Sequence, residues 1–313
     1  MQPYPLFGCS IRRSTPIVKP AAFAYEAPET VEEALALLER YGEGAKVLAG
    51  GQSLVPMMNF RLAQPEVLID INGLAELDYI RLEDGPEAGR ELAIGALTRQ
   101  RTAELSPLVG EHCPLLAEAL GHVAHAAIRN RGTVGGSLVH ADPSAEIATV
   151  LTTLDGRVTL RGPAGERTLA PGDFLLGYLT TGLAPDELLV EARFPAIRPG
   201  ARWGFLEFSR RQGDFAIAAV AAVLELDSGG ACTTARIGLG GVAPAPVRAL
   251  AAERALVGRR IDGDAIDEAG RLAQEACDTE GDYHASEEYK RNLAGVLTRR
   301  CLAQALERGR EAA

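Results

Sequence analysis

Residues 46–59 read Lys-Val-Leu-Ala-Gly-Gly-Gln-Ser-Leu-Val-Pro-Met-Met-Asn, and they join a short apolar strand to an apolar helical segment through a pair of glycines. Glycine lets the backbone turn sharply and lets a ligand come close to the main chain. The N–H groups of such a turn form a concave site for phosphate oxygens, and Ser53 adds a hydroxyl donor. Taken alone, such a segment is more often a plain strand-to-helix connection than a phosphate site.

A second glycine pair lies in residues 132–146, which read Gly-Thr-Val-Gly-Gly-Ser-Leu-Val-His-Ala-Asp-Pro-Ser-Ala-Glu. Here Gly135 and Gly136 lie between two hydroxyl residues, Thr133 and Ser137, and the pattern predicts a second cluster of backbone N–H donors. Two such loops facing each other would suit the two phosphates of a pyrophosphate. The chain has neither Gly-x-Gly-x-x-Gly nor Gly-x-x-x-x-Gly-Lys-Ser/Thr, so the Rossmann and P-loop solutions do not apply.

Together these motifs resemble the FAD-binding medium subunit of the molybdenum hydroxylases. That group includes carbon monoxide dehydrogenases, xanthine dehydrogenases and related oxidoreductases of aromatic compounds. The resemblance runs in order from about residue 20 to the last predicted helix. It is carried by residues 49–54, 129–137, 141–143, 209–216, 240–248 and 288–297.

The resemblance implies an α+β fold with two domains. A two-part FAD-binding domain of the PCMH type is expected over residues 19–197. A carbon monoxide dehydrogenase flavoprotein-like C-terminal domain, built on a three-stranded antiparallel sheet with helices, is expected over residues 198–313. Residues 1–18 precede the resemblance and are treated as an N-terminal extension. The dinucleotide should lie extended, with its pyrophosphate between the two glycine loops and its ring toward the domain junction.

The resemblance places FAD contacts in both glycine loops and at three positions beyond them. The predicted cofactor-binding residues are Ala49, Gly50, Gly51, Gln52, Ser53, Leu54, Thr133, Val134, Gly135, Gly136, Ser137, Asp142, Glu146 and Phe215. No catalytic residue and no metal ligand is assigned.

The three outlying positions each have a second interpretation. Asp142 and Pro143 look like a helix start, with Asp142 as N-cap and proline at the first helical position. Glu146 would then stand one turn into the helix, where the family usually places an acidic residue bonded to the flavin's sugar-like chain. Many relatives use Asp there, and Glu is favourable near a helix N-terminus without any ligand. Phe215 aligns with an aromatic residue that covers the isoalloxazine in some relatives, or it is an inward strand residue.

Gln52 predicts that FAD is held without a covalent bond. Some oxidases of the wider fold family attach the flavin through a histidine beside a comparable glycine pair. A glutamine amide forms hydrogen bonds but is a very poor nucleophile at neutral pH. Ser53 is not expected to be a nucleophile either, because the Gly-x-Ser-x-Gly elbow of hydrolases is absent.

By resemblance, the chain is an FAD-dependent oxidoreductase that transfers electrons within a larger enzyme. Electrons would leave the substrate at a molybdenum cofactor in a large molybdopterin-binding subunit and pass through 2Fe–2S clusters in a small iron–sulfur subunit. FAD would then hand them to an external acceptor, for which NAD, a quinone and oxygen are all open. The alternatives are a free-standing FAD-dependent oxidoreductase on the same scaffold in a biosynthetic pathway and a non-catalytic FAD-binding module.

Composition narrows the remaining classes. A chain of 313 residues is long enough for two domains. The formal net charge of −10 argues against a nucleic-acid surface, and no apolar run reaches the length of a membrane span. The five cysteines are scattered without Cys-x-x-Cys, which suits a reducing cytoplasm and excludes a four-cysteine iron–sulfur site in this chain. The five histidines lack supporting ligands at metal-site spacing.

Apolar periodicity predicts the main elements around these motifs. The spacing of Thr30 and Glu33 predicts a capping box at the first helix, and residues 195–200 look like the linker between domains. Further helices are predicted over residues 114–128, 143–154, 264–277 and 286–308, and strands over 47–49, 67–71, 91–96, 156–160, 188–194, 203–208, 216–226 and 233–239.

Overall fold

The computed structural model describes residues 19–85 and 89–311, so the predicted extension over residues 1–18 lies outside the described residues. The strands are β1 (Ala24–Glu26), β2 (Ala45–Leu48), β3 (Val67–Asp70), β4 (Ile80–Asp84), β5 (Arg90–Gly95), β6 (Arg157–Gly162), β7 (Gly165–Leu169), β8 (Leu175–Gly177), β9 (Thr180–Thr181), β10 (Leu188–Pro195), β11 (Arg202–Phe208), β12 (Ala218–Leu226), β13 (Cys232–Gly240) and β14 (Val247–Arg248).

Most helices are short, and they are concentrated in the middle and at the end of the chain. They are α1 (Val31–Tyr41), α2 (Leu54–Asn59), α3 (Gln100–Leu105), α4 (Pro107–His112), α5 (Pro114–His122), α6 (Ala126–Arg129), α7 (Val134–His140), α8 (Glu146–Thr153), α9 (Pro171–Phe174), α10 (Leu250–Leu256), α11 (Gly263–Glu275) and α12 (Glu287–Glu311).

The first part of the fold is a parallel three-stranded sheet in the order β1-β3-β2, with α1 packed on it. The Thr30 hydroxyl accepts a hydrogen bond from the Glu33 N–H at 3.2 Å, which confirms the predicted N-cap of α1. The Glu33 carboxylate accepts from the Glu29 N–H at 2.8 Å rather than from Thr30, so the reciprocal bond is displaced by one residue. Because the strands are parallel, the segments that follow β2 and β3 meet at one edge of the sheet.

The second part is a five-stranded antiparallel sheet in the order β4-β5-β10-β6-β7. Helices α4, α7 and α9 contact this sheet, and α3, α5 and α8 contribute to the same buried cluster. Its central strands are rich in buried apolar residues, and the β-branched residues among them favour the strand conformation. The buried cluster continues from this sheet through α5 and α8 to one face of β11 and β12. The two predicted domains therefore share packed surface.

The third part is an antiparallel sheet in the order β11-β12-β13-β14, covered by α10, α11 and α12. Its three long strands confirm the predicted C-terminal architecture, and β14 adds a two-residue edge. Helix α8 is buried along its whole length and lies across β12 and β13. Glycines 238 and 240 permit this close approach, since a Cβ at Gly238 would collide with the Thr153 hydroxyl of α8.

Two of the predicted helices differ from the structure. The helix expected over 114–128 breaks after His122, because Ala124 takes a left-handed φ of 41° and the chain restarts as α6. The helix expected from Pro143 begins instead at Glu146, with Ala145 at the N-cap. Asp142 accepts from the Ser144 N–H at 2.8 Å and so forms an Asx turn before the helix rather than capping it.

Candidate functional site

The first glycine loop leaves β2 at the carboxyl edge of the parallel sheet and enters α2. Gly51 has φ +72°, a left-handed conformation that glycine adopts without strain. The N–H groups of residues 51–54 donate no hydrogen bond within the described residues, although this segment is half-buried. Ser53 stands at the N-cap of α2 without a capping side-chain bond. The loop therefore holds a cluster of backbone donors and a hydroxyl that fit phosphate oxygens.

The second glycine loop begins α7 and is built differently. The N–H groups of residues 134–136 donate to the carbonyl oxygens of Thr98 and Ala96 and to the Thr133 hydroxyl at 2.9–3.0 Å. The expectation that this loop offers a second set of free backbone donors is therefore wrong. Its open polar group is the half-buried hydroxyl of Ser137, which forms no hydrogen bond with the described residues.

The two loops touch each other. A Cβ atom on Gly50 would lie 2.5 Å from the Arg131 carbonyl oxygen and 2.7 Å from the Gly132 Cα, and a Cβ on Gly136 would lie 3.8 Å from the Ala49 Cβ. A separation of 2.5 Å is too short for any real side chain. Gly50 does not have the positive φ found at Gly51, so its backbone conformation does not call for glycine. Glycine is required at position 50 because the loops approach each other too closely for a Cβ atom.

Two side chains outside the predicted set border both loops. Asn72 donates through Nδ2 to the Ala49 carbonyl oxygen at 2.8 Å. Arg99 donates to Asn72 Oδ1 at 2.7 Å and to the Arg131 carbonyl oxygen at 2.6 Å. A polar residue just beyond the end of β3 could have drawn attention to Asn72. No local pattern distinguishes Arg99, because its partners lie 27 and 32 positions away.

Asp142 and Glu146 lie beyond the far end of α7, which separates them from the glycine loops by about 10 Å of helix. Glu146 is the first residue of α8, not one turn inside it, and is 8% exposed. Burial raises the pKa of Glu146 to about 8, and the nearby charges of Glu207 and Asp142 add to the effect. A carboxyl group that is neutral at pH 7 can donate a hydrogen bond as well as accept one.

A third acidic residue, Glu207, lies near Asp142 and Glu146 but belongs to β11, on the C-terminal side of the domain junction. The His122 Nδ1 atom lies 3.4 Å from Glu207 Oε1, and the hydrogen bond raises the pKa of His122. The other carboxylate oxygen, Glu207 Oε2, is buried and has no hydrogen-bond partner among the described residues. His122 ends α5 and His125 precedes α6, so these two histidines do not share a helix face.

Phe215 lies in the loop between β11 and β12 and is 66% exposed. It is therefore not an inward strand residue, and β12 begins three positions later. The same loop packs against the other domain, because Gly213 leaves no room between its backbone and the His125 imidazole. An exposed aromatic ring of this kind can stack on a planar ligand.

The structure thus brings residues 49–54 and 133–137 together, with Asp142 and Glu146 beyond the far end of α7 and Phe215 in the loop between β11 and β12. Within the described residues, no helix is both long and apolar enough to cross a membrane.

Comparison with known families matches nearly the whole described chain. The family described as the FAD binding domain in molybdopterin dehydrogenase matches residues 21–197. The family described as the CO dehydrogenase flavoprotein C-terminal domain matches residues 203–305.

Individual relatives agree with the family matches. The 6-hydroxypseudooxynicotine dehydrogenase complex subunit alpha of Paenarthrobacter nicotinovorans is 40% identical, over 94% of this chain and 97% of its own. The carbon monoxide dehydrogenase medium chain of Hydrogenophaga pseudoflava is 39% identical, over 92% of this chain and 99% of its own. A solved structure of carbon monoxide dehydrogenase from the same organism superimposes with a TM-score of 0.87 at 41% identity, covering 92% of this chain and 99% of that one.

Proposed function

Because this chain belongs to the family of FAD-binding flavoproteins of the molybdopterin dehydrogenases, we propose that it is the subunit through which electrons leave such an enzyme. The family membership confirms the resemblance and the assignment as an FAD-dependent oxidoreductase. The proposal adds a direction of transfer, in which the chain receives electrons from a partner and delivers them to an external acceptor.

The observation that carries the site assignment is that the N–H groups of residues 51–54 donate no hydrogen bond to the described residues, in the loop that Gly50 brings against the second loop. These donors and the Ser53 hydroxyl would bind the pyrophosphate of FAD. The Ser137 hydroxyl would add a contact from the second loop. The remaining predicted residues of both loops would shape this cradle through their backbone.

The rest of the dinucleotide would extend along α7 toward the domain junction. Asp142 and Glu146 would meet the sugar-like chain, where Glu146 in its neutral form can donate to a hydroxyl oxygen. Phe215, which is exposed in the loop between β11 and β12, would stack on the ring from the C-terminal side. When bound there, FAD supplies the redox chemistry of the subunit.

The electron donor is proposed to be a partner subunit. Two of the relatives are named as parts of larger assemblies, a complex subunit alpha and a medium chain. We propose a small iron–sulfur subunit that holds 2Fe–2S clusters as the direct donor and a large molybdopterin-binding subunit as the site of substrate oxidation. Four of the five cysteines, Cys113, Cys232, Cys277 and Cys301, are buried and form no disulfide, and the described residues contain no group of three or more His, Cys, Asp or Glu side chains that could hold a metal ion.

Co-purification tests the proposal. The chain, tagged at its C-terminus and expressed in its native host, should bring down one large and one small subunit, the latter with the visible spectrum of 2Fe–2S clusters. The purified chain alone should contain FAD and turn over organic substrates poorly. Rapid turnover of an organic substrate by the chain alone, with no partner recovered, would instead establish a free-standing flavoenzyme.

A further inference from the structure

We propose that Arg99 is a positioning residue for the FAD site, which acts through Asn72 to fix the two glycine loops against each other. The inference rests on the proposed function, because it assigns Arg99 a part in the site where FAD would bind. Arg99 itself touches neither the unpaired N–H groups of the first loop nor the Ser137 hydroxyl of the second.

The connection consists of four short hydrogen bonds. Arg99 donates from Nη1 to the Arg131 carbonyl oxygen at 2.6 Å and from Nη2 to Asn72 Oδ1 at 2.7 Å. Asn72 in turn donates from Nδ2 to the Ala49 carbonyl oxygen at 2.8 Å and to Asp70 Oδ1 at 2.6 Å. One guanidinium and one amide therefore join the backbone of the first loop to the backbone that enters the second.

The anchor point in the second loop is the atom that limits how closely the loops approach. The Arg131 carbonyl oxygen is the same atom that would lie 2.5 Å from a Cβ on Gly50. Its orientation therefore sets the position of the first loop, and Arg99 holds it in place. The flat, two-pronged guanidinium reaches two acceptors at once, which the single ammonium group of lysine cannot do in the same geometry.

The connection continues away from the loops to the outer strand of the parallel sheet. The Tyr25 hydroxyl donates to Asp70 Oδ2 at 2.6 Å, so β1 is tied to the same network. Burial alone would raise the pKa of Asp70. The hydrogen bonds from Tyr25 and Asn72 and the positive charge of Arg131 outweigh burial and lower it. Asp70 thus remains ionised at neutral pH and holds the Asn72 amide in the orientation that presents Oδ1 to Arg99.

Charges of both signs surround Arg99. Arg99 is half-buried, and both burial and the nearby Arg131 charge lower its pKa, while Asp78 and Asp70 offset part of this effect. The guanidinium stays charged at neutral pH. Its hydrogen bonds to Asn72 and to the Arg131 carbonyl oxygen are therefore charge-assisted, which makes them stronger than bonds between neutral groups.

The test measures FAD affinity in the full-length chain after its flavin has been removed, by titration with FAD followed through flavin fluorescence. Arg99→Lys and Asn72→Ala should each weaken FAD binding at least tenfold. The control Arg254→Lys, at an exposed position on α10 in the C-terminal part, should stay within twofold of the wild type. The double variant Arg99→Lys/Asn72→Ala should be no weaker than the weaker single variant, because both changes cut one connection.

A second readout separates positioning from general stabilisation. The urea midpoint of the flavin-free chain should change little in Arg99→Lys, since lysine keeps the charge and most of the packing. Unchanged FAD affinity in either single variant, or losses that multiply in the double variant, would overturn the proposal. A drop in stability without a loss of affinity would equally show that Arg99 is only structural. Failure of the wild-type chain to bind FAD would instead refute the proposed function.

Discussion

Replacing Glu146 by glutamine should change how the stability of the flavin-free chain depends on pH. Glu146 is 8% exposed at the start of α8, and burial raises its pKa to about 8, whereas a glutamate in the unfolded chain titrates near the ordinary value of about 4.3. The folded state therefore keeps a proton that the unfolded state releases. The contribution of Glu146 to the free energy of unfolding is fully present below about pH 4 and is lost as the pH rises through about 8.

The size of the effect follows from proton linkage. One proton released on unfolding lowers the free energy of unfolding by about 1.4 kcal/mol for each pH unit. Between pH 6 and pH 8 the contribution is smaller than the full amount, because Glu146 itself begins to ionise in the folded state near pH 8. We expect the free energy of unfolding to fall by about 2 kcal/mol over this interval because of Glu146. In Glu146→Gln this part of the slope should vanish.

The assay is urea unfolding followed by circular dichroism at pH 6, 7 and 8. In both proteins, His122 also makes stability depend on pH. The hydrogen bond to Glu207 raises the pKa of His122, and the positive charge that stabilises the folded state is lost as the pH rises. Glu187→Gln is the matched control. The hydrogen bond with Arg167 lowers the pKa of Glu187, so it is ionised throughout this range and its loss should shift stability equally at each pH. Parallel slopes for the wild type and Glu146→Gln would refute the reasoning.

Three further outcomes follow from the site. The chain should bind FAD at least tenfold more tightly than FMN, because charge-assisted hydrogen bonds to a second phosphate contribute about 1.5–3 kcal/mol each; equal affinities in a titration would contradict the pyrophosphate site. Gly50→Ala should lower FAD affinity at least tenfold, since its Cβ would lie 2.5 Å from the Arg131 carbonyl oxygen, whereas Gly110→Ala on α4 meets no atom within 4 Å and should retain full flavin content in the absorption spectrum. Acid precipitation should release the flavin into the supernatant, because Gln52 cannot form a covalent flavin bond; colour that remains in the washed pellet would show that it is attached.

The sequence was informative wherever a local rule decides the structure. Paired glycines located both loops, the Thr30–Glu33 spacing located the start of α1, and long apolar runs located the three main strands of the C-terminal sheet. It failed where the deciding contact is distant. Gly121 stands just before the break after His122, but an isolated glycine is tolerated inside a helix. The left-handed φ falls instead on Ala124, within a sequence that continues the helical pattern.

The same limit applies to the network around the loops. Arg99 looks like an ordinary residue before a helix, and its importance depends on a carbonyl group 32 positions away. Asn72 reaches back 23 positions to the Ala49 carbonyl oxygen. Such contacts exist only after the parallel sheet has brought the ends of β2 and β3 to one edge. They can be derived from the fold but not from a window of sequence.

The two glycine loops look alike in sequence but differ in what they can offer a ligand. In the second loop, the carbonyl oxygens of Thr98 and Ala96 beyond β5 take up the N–H groups that a phosphate would need. These bonds fix the start of α7 against the antiparallel sheet and make the second loop a rigid surface. In the first loop, the N–H groups of residues 51–54 donate no hydrogen bond to the described residues, and Gly50 contacts the surface of the second loop. A site with donors on one side and a fixed support on the other should therefore lose its ligand when either loop moves, although only the first loop supplies a row of backbone donors.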